Sequence, residues 1–245
     1  MTRSLCDIHM HLIPGVDDGS ASMEMSLVML MQARDQGIRE VFATPHSSAF
    51  DHCPQQVQQN FRALQETAAR IFPDMEIFPG CEVLCDPWSM DATLAALACG
   101  KYPSLNGSPF VLTEFSPWGT AEEAVRCTDA LLNAGWIPVI AHAERYPFWQ
   151  NQRNWIPYLR ETGCLFQINA YSLDGEQDPH IRTLARELVR EHLADFLGTD
   201  AHRTGHRPPR AEAGGRWITE NCDEIYARRL LRENALQLLI GKEGA

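Results

Sequence analysis

The sequence predicts an α/β fold, and it favours a TIM-like barrel of seven β-strands over an open doubly wound sheet, for three reasons. Seven short apolar runs are typical of strands, and helix-like stretches lie between them. This alternation implies parallel strands, because parallel pairing requires crossover helices. Side chains of metal-ligand type follow almost every strand, and they converge on one mouth if the sheet closes into a barrel. With 245 residues, 44% of them hydrophobic, we expect a single domain over residues 1–245.

The predicted elements alternate along the chain. The strands are Leu5–His9, Glu40–Thr44, Met75–Phe78, Phe110–Phe115, Ile137–Ala141, Cys164–Ile168 and Asp195–Gly198. The helices are Met23–Gln36, Pro54–Ile71, Asp91–Ala98, Ala121–Asn133 and Pro179–Glu191. Ser20 and Ser22 are N-cap candidates for the first helix, and Gly37 is its stop. We expect an irregular barrel, because the strands number seven rather than eight.

Charge and composition argue against several classes of protein. The net charge of −11 disfavours nucleic-acid binding, which depends on Lys and Arg neutralising phosphates. No apolar run is long enough to span a membrane, and residues 1–7 lack the apolar core of a secretory signal. The eight Cys residues are scattered without a Cys-x-x-Cys pair, which is typical of reduced thiols. We therefore expect a cytoplasmic protein without membrane insertion.

Nearly every predicted strand leads to a residue that can bind a metal ion. The candidates are His9, His11 and Asp18 at the first strand, His46 at the second, Glu82 at the third, Glu114 at the fourth, His142 at the fifth, and Asp200 and His202 at the seventh. One His or Glu at a strand end is often structural. Nine such residues in register with six of the seven strands are hard to obtain by chance. Imidazole and carboxylate ligands without thiolate suit Mn, Fe or Zn.

Two arginines complete the pattern. Arg145 follows His142 by three residues, and Arg207 follows His202 by five. A guanidinium group can bind two phosphate oxygens at once, so both residues are candidates for phosphate binding in catalysis. A salt bridge to an excess carboxylate is the alternative for each.

These residues resemble the PHP (polymerase and histidinol phosphatase) superfamily, and in particular the manganese-dependent protein-tyrosine phosphatases of bacterial capsule and exopolysaccharide operons. The matching segments are Asp7-Ile8-His9, Pro14-Gly15-Val16-Asp17-Asp18-Gly19, Ala43-Thr44-Pro45-His46, Gly80-Cys81-Glu82, Glu114-Phe115-Ser116, Ile140-Ala141-His142-Ala143-Glu144-Arg145, Gln167-Ile168-Asn169-Ala170, Thr199-Asp200-Ala201-His202 and Arg207-Pro208-Pro209. They cover nearly the whole chain in order. One departure is Ser47-Ser48 after His46, where relatives often carry His or Arg.

The resemblance implies a distorted (β/α)7 barrel, the PHP fold, with three divalent metal ions, manganese first and iron or zinc as alternatives. By residue-by-residue transfer, the first ion takes His9, His11, Glu82 and Asp200, the second takes Glu82, Glu114 and His142, and the third takes Asp18, His46 and His202. Arg145 and Arg207 match the phosphate-binding arginines of the family. The implied reaction is attack of a metal-bridging hydroxide on a phosphomonoester. The implied partner is a phosphotyrosine protein, such as the tyrosine kinase of polysaccharide export, and a homo-oligomer is left open.

Other functions share part of this pattern. A small-molecule phosphatase of the histidinol-phosphate type would use the same site. Amidohydrolases also begin with His-x-His but commonly bridge two metals with a carboxylated Lys, and here the two lysines, Lys101 and Lys242, lie away from the strand ends. A non-enzymatic binding module stabilised by metal would lack some of the nine candidate ligands, and none of them is missing here. The C-x5-R segment Cys222–Arg228 formally fits a cysteine phosphatase, but its acidic residues and helical pattern disfavour a phosphate loop.

Aromatic side chains crowd the loops that follow the strands. They are Trp88, Trp118, Tyr146, Phe148, Trp149 and Tyr171. We expect most of them to pack beneath the loops and one or two to frame an aromatic ring of the substrate.

Overall fold

The computed structural model describes residues 4–174 and 178–239. Its strands are β1 Leu5–Met10, β2 Ile38–Ala43, β3 Glu76–Pro79, β4 Glu82–Cys85, β5 Phe110–Phe115, β6 Ile137–Ile140, β7 Leu165–Asn169 and β8 Phe196–Gly198. Its α-helices are α1 Met23–Asp35, α2 Ser47–His52, α3 Pro54–Ile71, α4 Met90–Ala98, α5 Ala121–Asn133, α6 Pro147–Asn151, α7 Trp155–Thr162, α8 Pro179–Arg190, α9 Glu212–Asn221, α10 Glu224–Arg228 and α11 Asn234–Leu236. Short 3-10 turns include Ala143–Arg145 and Ala170–Leu173, and a π-helical turn spans Arg229–Glu233.

All of the strand pairs are parallel, and they form two sheets with the orders β1-β2-β3 and β4-β5-β6-β7-β8. Isolated bridges join the sheets at both seams. Glu82 N donates to Pro45 O at one seam, and Asp200 N donates to His9 O at the other. The strands therefore follow one another around a barrel-like ring, in which isolated bridges rather than continuous ladders join the two sheets.

One detail of the predicted order is wrong. Glu82 does not end the third predicted strand, Met75–Phe78, but begins a further strand, β4, that was not predicted, so the described residues form eight strands rather than seven. Gly80 and Cys81 separate β3 from β4. A Cβ atom at Gly80 would lie 2.9 Å from Thr44 Cγ2, so the backbone at Gly80 passes very close to the residue that follows β2. The break lets β3 pair with β2 while β4 pairs with β5, which distorts the barrel.

Local sequence explains where the helices begin and end. The Ser22 side chain accepts from Met25 N and caps α1, and Gly37 follows that helix with a φ of 88°. Thr120 and Glu123 form a reciprocal capping box at the start of α5. The predicted bounds of α3 and α5 are confirmed.

Apolar side chains fill the interior of the ring below the mouth. Ile8 of β1, Phe42 of β2, Leu112 of β5 and Phe196 of β8 belong to one buried cluster, to which Leu238 near the described C-terminal end also belongs. Side chains from opposite sides of the ring can share a cluster only through its interior. Polar side chains at the carboxyl ends of the strands therefore lie above an apolar floor. No helix in the described ranges is both long and apolar enough to cross a membrane.

Candidate metal centre

The nine metal-ligand candidates lie together at the carboxyl ends of the strands. Three groups have ligand atoms within 4.8 Å of one another, namely His9 with His11 and Glu82, His46 with Glu82 and Glu114, and His11 with Asp18, His46 and His202. His142 and Asp200 join the same cluster, since His142 Nε2 lies 2.9 Å from Glu82 Oε1 and Asp200 Oδ1 lies 3.6 Å from His9 Nε2. The groups share His11, His46 and Glu82, so the cluster is continuous.

Glu82 lies at the centre of the cluster. Its Oε1 is 3.3 Å from His9 Nε2 and 2.9 Å from His142 Nε2, and its Oε2 is 3.1 Å from both His11 Nε2 and His46 Nδ1. Each carboxylate oxygen thus faces two imidazole rings. The short β4 places Glu82 there, because its first residue is held at the seam by Pro45 O. A carboxylate in this position is suited to bridging two cations.

The geometry differs in one respect from the ligand sets that the resemblance implies. His11 lies close to Asp18, His46 and His202, which are assigned to the third ion, as well as to Glu82. His46 in turn lies close to Glu82 and Glu114, which are assigned to the second ion. These two imidazoles therefore stand between neighbouring ion positions.

Hydrogen bonds fix the proton position on three of the imidazoles. His9 Nδ1 donates to Gln167 Oε1 over 3.0 Å, His11 Nδ1 to Asp17 Oδ2 over 2.8 Å, and His202 Nδ1 to Asp200 O over 2.9 Å. Since Gln167 Oε1 also accepts from His142 N, this atom is an oxygen and the His9 proton lies on Nδ1. The Nε2 atom of each ring therefore faces the cluster, which is the orientation of a metal-binding histidine.

Two further observations fit bound cations. The Nε2 atoms of His9 and His11 face each other at 3.3 Å, so their lone pairs would repel unless a proton or a metal ion lies between them. Asp200 Oδ1 is buried without a hydrogen-bond partner and lies within 3.7 Å of both of those nitrogens. A buried carboxylate oxygen without a partner is costly unless an ion binds it. The residues therefore fit divalent metal ions.

The surrounding charges and burial favour ionised Glu82 and Asp17 and a neutral His202. Burial opposes ionisation of Glu82, yet the surrounding histidines, His9 foremost, hold the pKa of its carboxyl well below its usual value. Burial also opposes ionisation of Asp17, and its bond to His11 still lowers its pKa to about 2. Burial together with the positive charges of His11 and Arg207 lowers the pKa of His202 to about 3. A neutral imidazole is the form that binds a metal.

The backbone is strained at the same place. Five non-glycine residues in the described ranges have positive φ, and three of them, His142, Asp200 and Arg207, belong to the predicted site. Their φ angles are 33°, 52° and 53°. Such conformations are uncommon for residues with a Cβ and concentrate at functional sites.

Both arginines reach the cluster. Arg145 Nη1 donates to Asp200 Oδ2 over 2.8 Å, and Arg207 Nη2 contacts the same oxygen. Arg207 Nη1 also lies 3.1 Å from His202 Nε2. The guanidinium groups are 37% and 27% exposed as side chains, so both remain accessible from the mouth. The geometry thus shows the ion pairs that were the alternative in the sequence, and it also places both positive charges beside the cluster.

Sequence reasoning missed the polar residues that support the candidate ligands. Asp17 binds His11 and His46 N, and Asp7 accepts from His9 N and from Thr199. Gln167 binds His9 and His142, and through Nε2 it donates to Asn169 Oδ1, while Asn169 donates to Asp200 Oδ2. Gln167 and Asn169 alternate along β7, two residues apart. Two amide side chains at this spacing, at the end of a buried strand, are the feature of the sequence from which their supporting role could have been predicted.

The competing sites look different. In the described ranges Lys101 is the sole lysine, and it pairs with Asp51 on the surface, while Lys242 lies outside those ranges. Cys222 follows α9, and Asp223 caps the next helix by accepting from Tyr226 N, so the C-x5-R segment is largely helical. All eight cysteines are free thiols.

The six loop aromatics differ in burial, and Phe148 and Tyr171 are half-buried. Tyr146 and Trp149 are buried and pack against Phe115, as expected for most of the set. Trp88 and Trp118 are exposed.

Comparisons with known proteins agree with this architecture. Residues 5–240 match the family model described as capsular polysaccharide synthesis, CpsB/CapC. The tyrosine-protein phosphatase CpsB of Streptococcus pneumoniae is 29% identical over 96% of this chain and 98% of that protein. The tyrosine-protein phosphatase YwqE of Bacillus subtilis strain 168 is 30% identical over 83% of this chain and 79% of that protein. A crystal structure from work on YwqE of B. subtilis and CpsB of S. pneumoniae, called there unique metal-dependent tyrosine phosphatases, superposes with a TM-score of 0.86 at 26% identity and covers 97% of this chain and 95% of that chain.

Proposed function

Because the chain belongs to the CpsB/CapC family of capsular polysaccharide synthesis proteins, we propose that it is a metal-dependent protein-tyrosine phosphatase. The observation that carries the proposal is the continuous cluster of nine imidazole and carboxylate side chains at one mouth, with two arginines beside it. The two named relatives, of which the chain covers 98% and 79%, are tyrosine-protein phosphatases. Phosphotyrosine in a protein is therefore the proposed substrate, and the tyrosine kinase of polysaccharide export is the proposed partner.

The ligand sets are part of the proposal. His9, His11, Glu82 and Asp200 would hold the first ion, Glu82, Glu114 and His142 the second, and Asp18, His46 and His202 the third. Manganese is the favoured ion, with iron or zinc as alternatives, since imidazole and carboxylate suit all three. When bound, the ions supply a water ionised near neutral pH as the nucleophile and positive charge for the phosphoryl oxygens. We also propose that residues 1–245 form one domain and that the protein is cytoplasmic.

The side chains of the chain bind and orient the substrate. Arg145 and Arg207 share Asp200 Oδ2, and an arriving phosphoryl group offers them further oxygens on the open side of the mouth. Their guanidinium groups would hold the phosphoryl group in line and stabilise the charge that it develops. Gln167 and Asp17 keep the His9 and His11 rings in one orientation through their Nδ1 atoms. The mouth is therefore organised before the substrate enters.

The leaving group explains why aryl phosphates suit this site. Tyrosine has a side-chain pKa of about 10, so its oxygen can depart as an anion with little help from a general acid. Glu82 and Asp200, two buried carboxylates of the cluster, are held ionised and therefore do not donate a proton to the leaving group. Alkyl phosphates, whose leaving groups are far more basic, should react more slowly.

The test compares metal-free and metal-loaded protein on a panel of substrates. Chelation should abolish hydrolysis of p-nitrophenyl phosphate, and Mn²⁺ should restore it. The loaded protein should prefer a phosphotyrosine peptide to a phosphoserine peptide and to histidinol phosphate. Full activity of the metal-free protein would overturn the metal mechanism. A preference for histidinol phosphate would support the small-molecule phosphatase instead.

A further inference from the structure

Two Pro-Trp turns stand beside the metal centre. β4 is followed by Asp86-Pro87-Trp88-Ser89, and the neighbouring β5 is followed by Ser116-Pro117-Trp118-Gly119. Trp88 is 84% exposed and Trp118 is 92% exposed, while no other large hydrophobic side chain in the described ranges exceeds 56%. Scattered exposed apolar residues are normal, but two nearly bare indoles on adjacent loops indicate an interaction surface.

Both turns are built in the same way. Ser89 N donates to Asp86 O over 2.9 Å, and Gly119 N donates to Ser116 O over 3.0 Å. Inside each turn, the backbone N–H of the tryptophan donates to the side chain of the first residue, which is Asp86 Oδ1 in one turn and Ser116 Oγ in the other. Asp or Ser first, Pro second and Gly fourth are the preferred residues of a β-turn. Each indole is thus presented by a turn that is closed by two hydrogen bonds, which lowers the entropy lost when a ligand binds.

The two tryptophans border one cleft. A cavity of about 240 Å³ lies between the loops and is lined by Leu84, Phe115, Trp88, Trp118 and the polar residues Asp86 and Glu123, among others. Its walls are therefore largely apolar and aromatic. Its charged lining residues are acidic, so it suits a neutral or basic ligand better than an acidic one.

This cleft adjoins the metal centre through Leu84. Leu84 lies two residues beyond Glu82 on β4, hence on the same face and about 7 Å further along. Leu84 is also the register partner of Glu114 on β5. Its N–H donates to Ser47 Oγ, which follows His46, so the floor of the cleft is tied to the centre. A chain whose phosphoryl group lies at the metals would pass over Leu84 towards the tryptophans.

We propose that Trp88 and Trp118 are specificity-determining residues that hold the polypeptide segment next to the phosphotyrosine, and that they favour neutral apolar or aromatic residues there. The proposal rests on the proposed tyrosine phosphatase function. A free aryl phosphate ends at the metal centre, whereas a polypeptide extends from it and can cover both indoles. Tryptophan is enriched in binding hot spots because it offers a large rigid contact.

The experiment measures kcat/KM for p-nitrophenyl phosphate and for a short phosphotyrosine peptide with aromatic flanking residues. The variants are Trp88→Ala, Trp118→Ala and the double variant. The ratio of peptide to aryl phosphate kcat/KM should fall about twofold to tenfold per tryptophan, mainly through the KM for the peptide. Ile225→Ala is the matched control, because Ile225 is an exposed apolar residue, 56% exposed, that lies on α10 far from the cleft. Its neighbour Tyr226 donates to Ala194 O, which precedes β8 and therefore lies at the end of the barrel opposite the mouth. This variant should leave the ratio unchanged.

The result that overturns the proposal is an unchanged ratio in a folded double variant. A change of oligomeric state without a change in the ratio would assign the cleft to a subunit interface and would also overturn it. Binding of the same peptide with a non-hydrolysable phosphotyrosine analogue separates this proposal from the proposed function. If the metal-loaded protein does not hydrolyse phosphotyrosine, the proposed phosphatase function is wrong. If the wild type and the double variant bind the analogue with equal affinity, the proposed role of the two tryptophans is wrong. With glutamate as the flanking residue, the peptide should bind more weakly.

Discussion

The inner and outer parts of the cluster differ in how far the protein encloses them. The side chains of His9, His11, Glu82 and Asp200 are at most 1% exposed, whereas that of Asp18 is 63% exposed and that of His46 is 30% exposed. Buried charges are costly without partners, so the inner part depends on bound cations and on fixed hydrogen bonds. The outer part, Asp18 and His46 together with the buried His202, is partly solvated and can lose an ion at a lower cost. The difference predicts that the inner ions bind tightly and the outer ion exchanges.

The largest expected effect comes from the centre of the inner part. Glu82→Ala should lower kcat/KM by about 1,000-fold or more and remove more than one equivalent of metal, because Glu82 contacts four histidines. Asp18→Ala should remove about one equivalent, and added Mn²⁺ should restore part of its rate. Metal analysis beside steady-state kinetics measures both. Equal metal losses in the two variants would remove the distinction between inner and outer parts.

Replacing either arginine should lower the catalytic rate without lowering the metal content. Arg145→Ala and Arg207→Ala should each lower kcat/KM by about 100- to 1,000-fold, which is typical for the loss of one donor aimed at transition-state charge. Metal content and melting temperature should stay near those of the wild type. Arg→Lys should recover part of the loss, because it returns the charge without the planar fork.

The contacts with Asp200 make this test decisive. If Arg145 and Arg207 serve only to neutralise that buried carboxylate, the alanine variants will lose metal or unfold at a lower temperature instead. Wild-type kcat/KM in both variants would also contradict a role in phosphate binding. Either result would favour the alternative role, in which both arginines serve only as ion-pair partners of Asp200.

A smaller effect is expected from the residue that orients two candidate ligands. Gln167 Oε1 accepts from His9 Nδ1 and from His142 N, so Gln167→Leu leaves both without a partner. Loss of such a partner typically lowers metal affinity about 10- to 100-fold. Competition with a chelator measures this affinity directly. Gln65→Leu is the control, because the Gln65 side chain also hydrogen-bonds to the backbone, donating to Ile77 O, but lies away from the cluster. A shift no larger than that of the control would contradict the positioning role.

The sequence predicted the barrel and the convergence of the candidate ligands because both depend on local patterns. Apolar runs and cap residues mark the strands and helices, and parallel strands bring their carboxyl ends together. The break between β3 and β4 was not predictable in this way, since Gly80 is required by the close approach of Thr44, a contact between distant segments. The roles of Gln167 and Asn169 depend on side chains from other strands for the same reason. The Pro-Trp turns were visible in the sequence, but their exposure was not.

The smallest effect is expected at Cys222, which lies outside the cluster. In a cysteine phosphatase the thiol would be ionised inside a loop of backbone N–H groups. Here burial and the neighbouring Asp223 raise the pKa of the Cys222 thiol, and Arg228 pairs with Glu233 rather than facing the sulphur. Cys222→Ser should therefore retain wild-type kcat/KM within experimental error, as should Cys99→Ser, the control at an exposed thiol. A loss of several orders of magnitude in folded Cys222→Ser with intact metal content would move the chemistry from the metal cluster to the thiol, and the contrast between inner and outer ions would then not bear on catalysis.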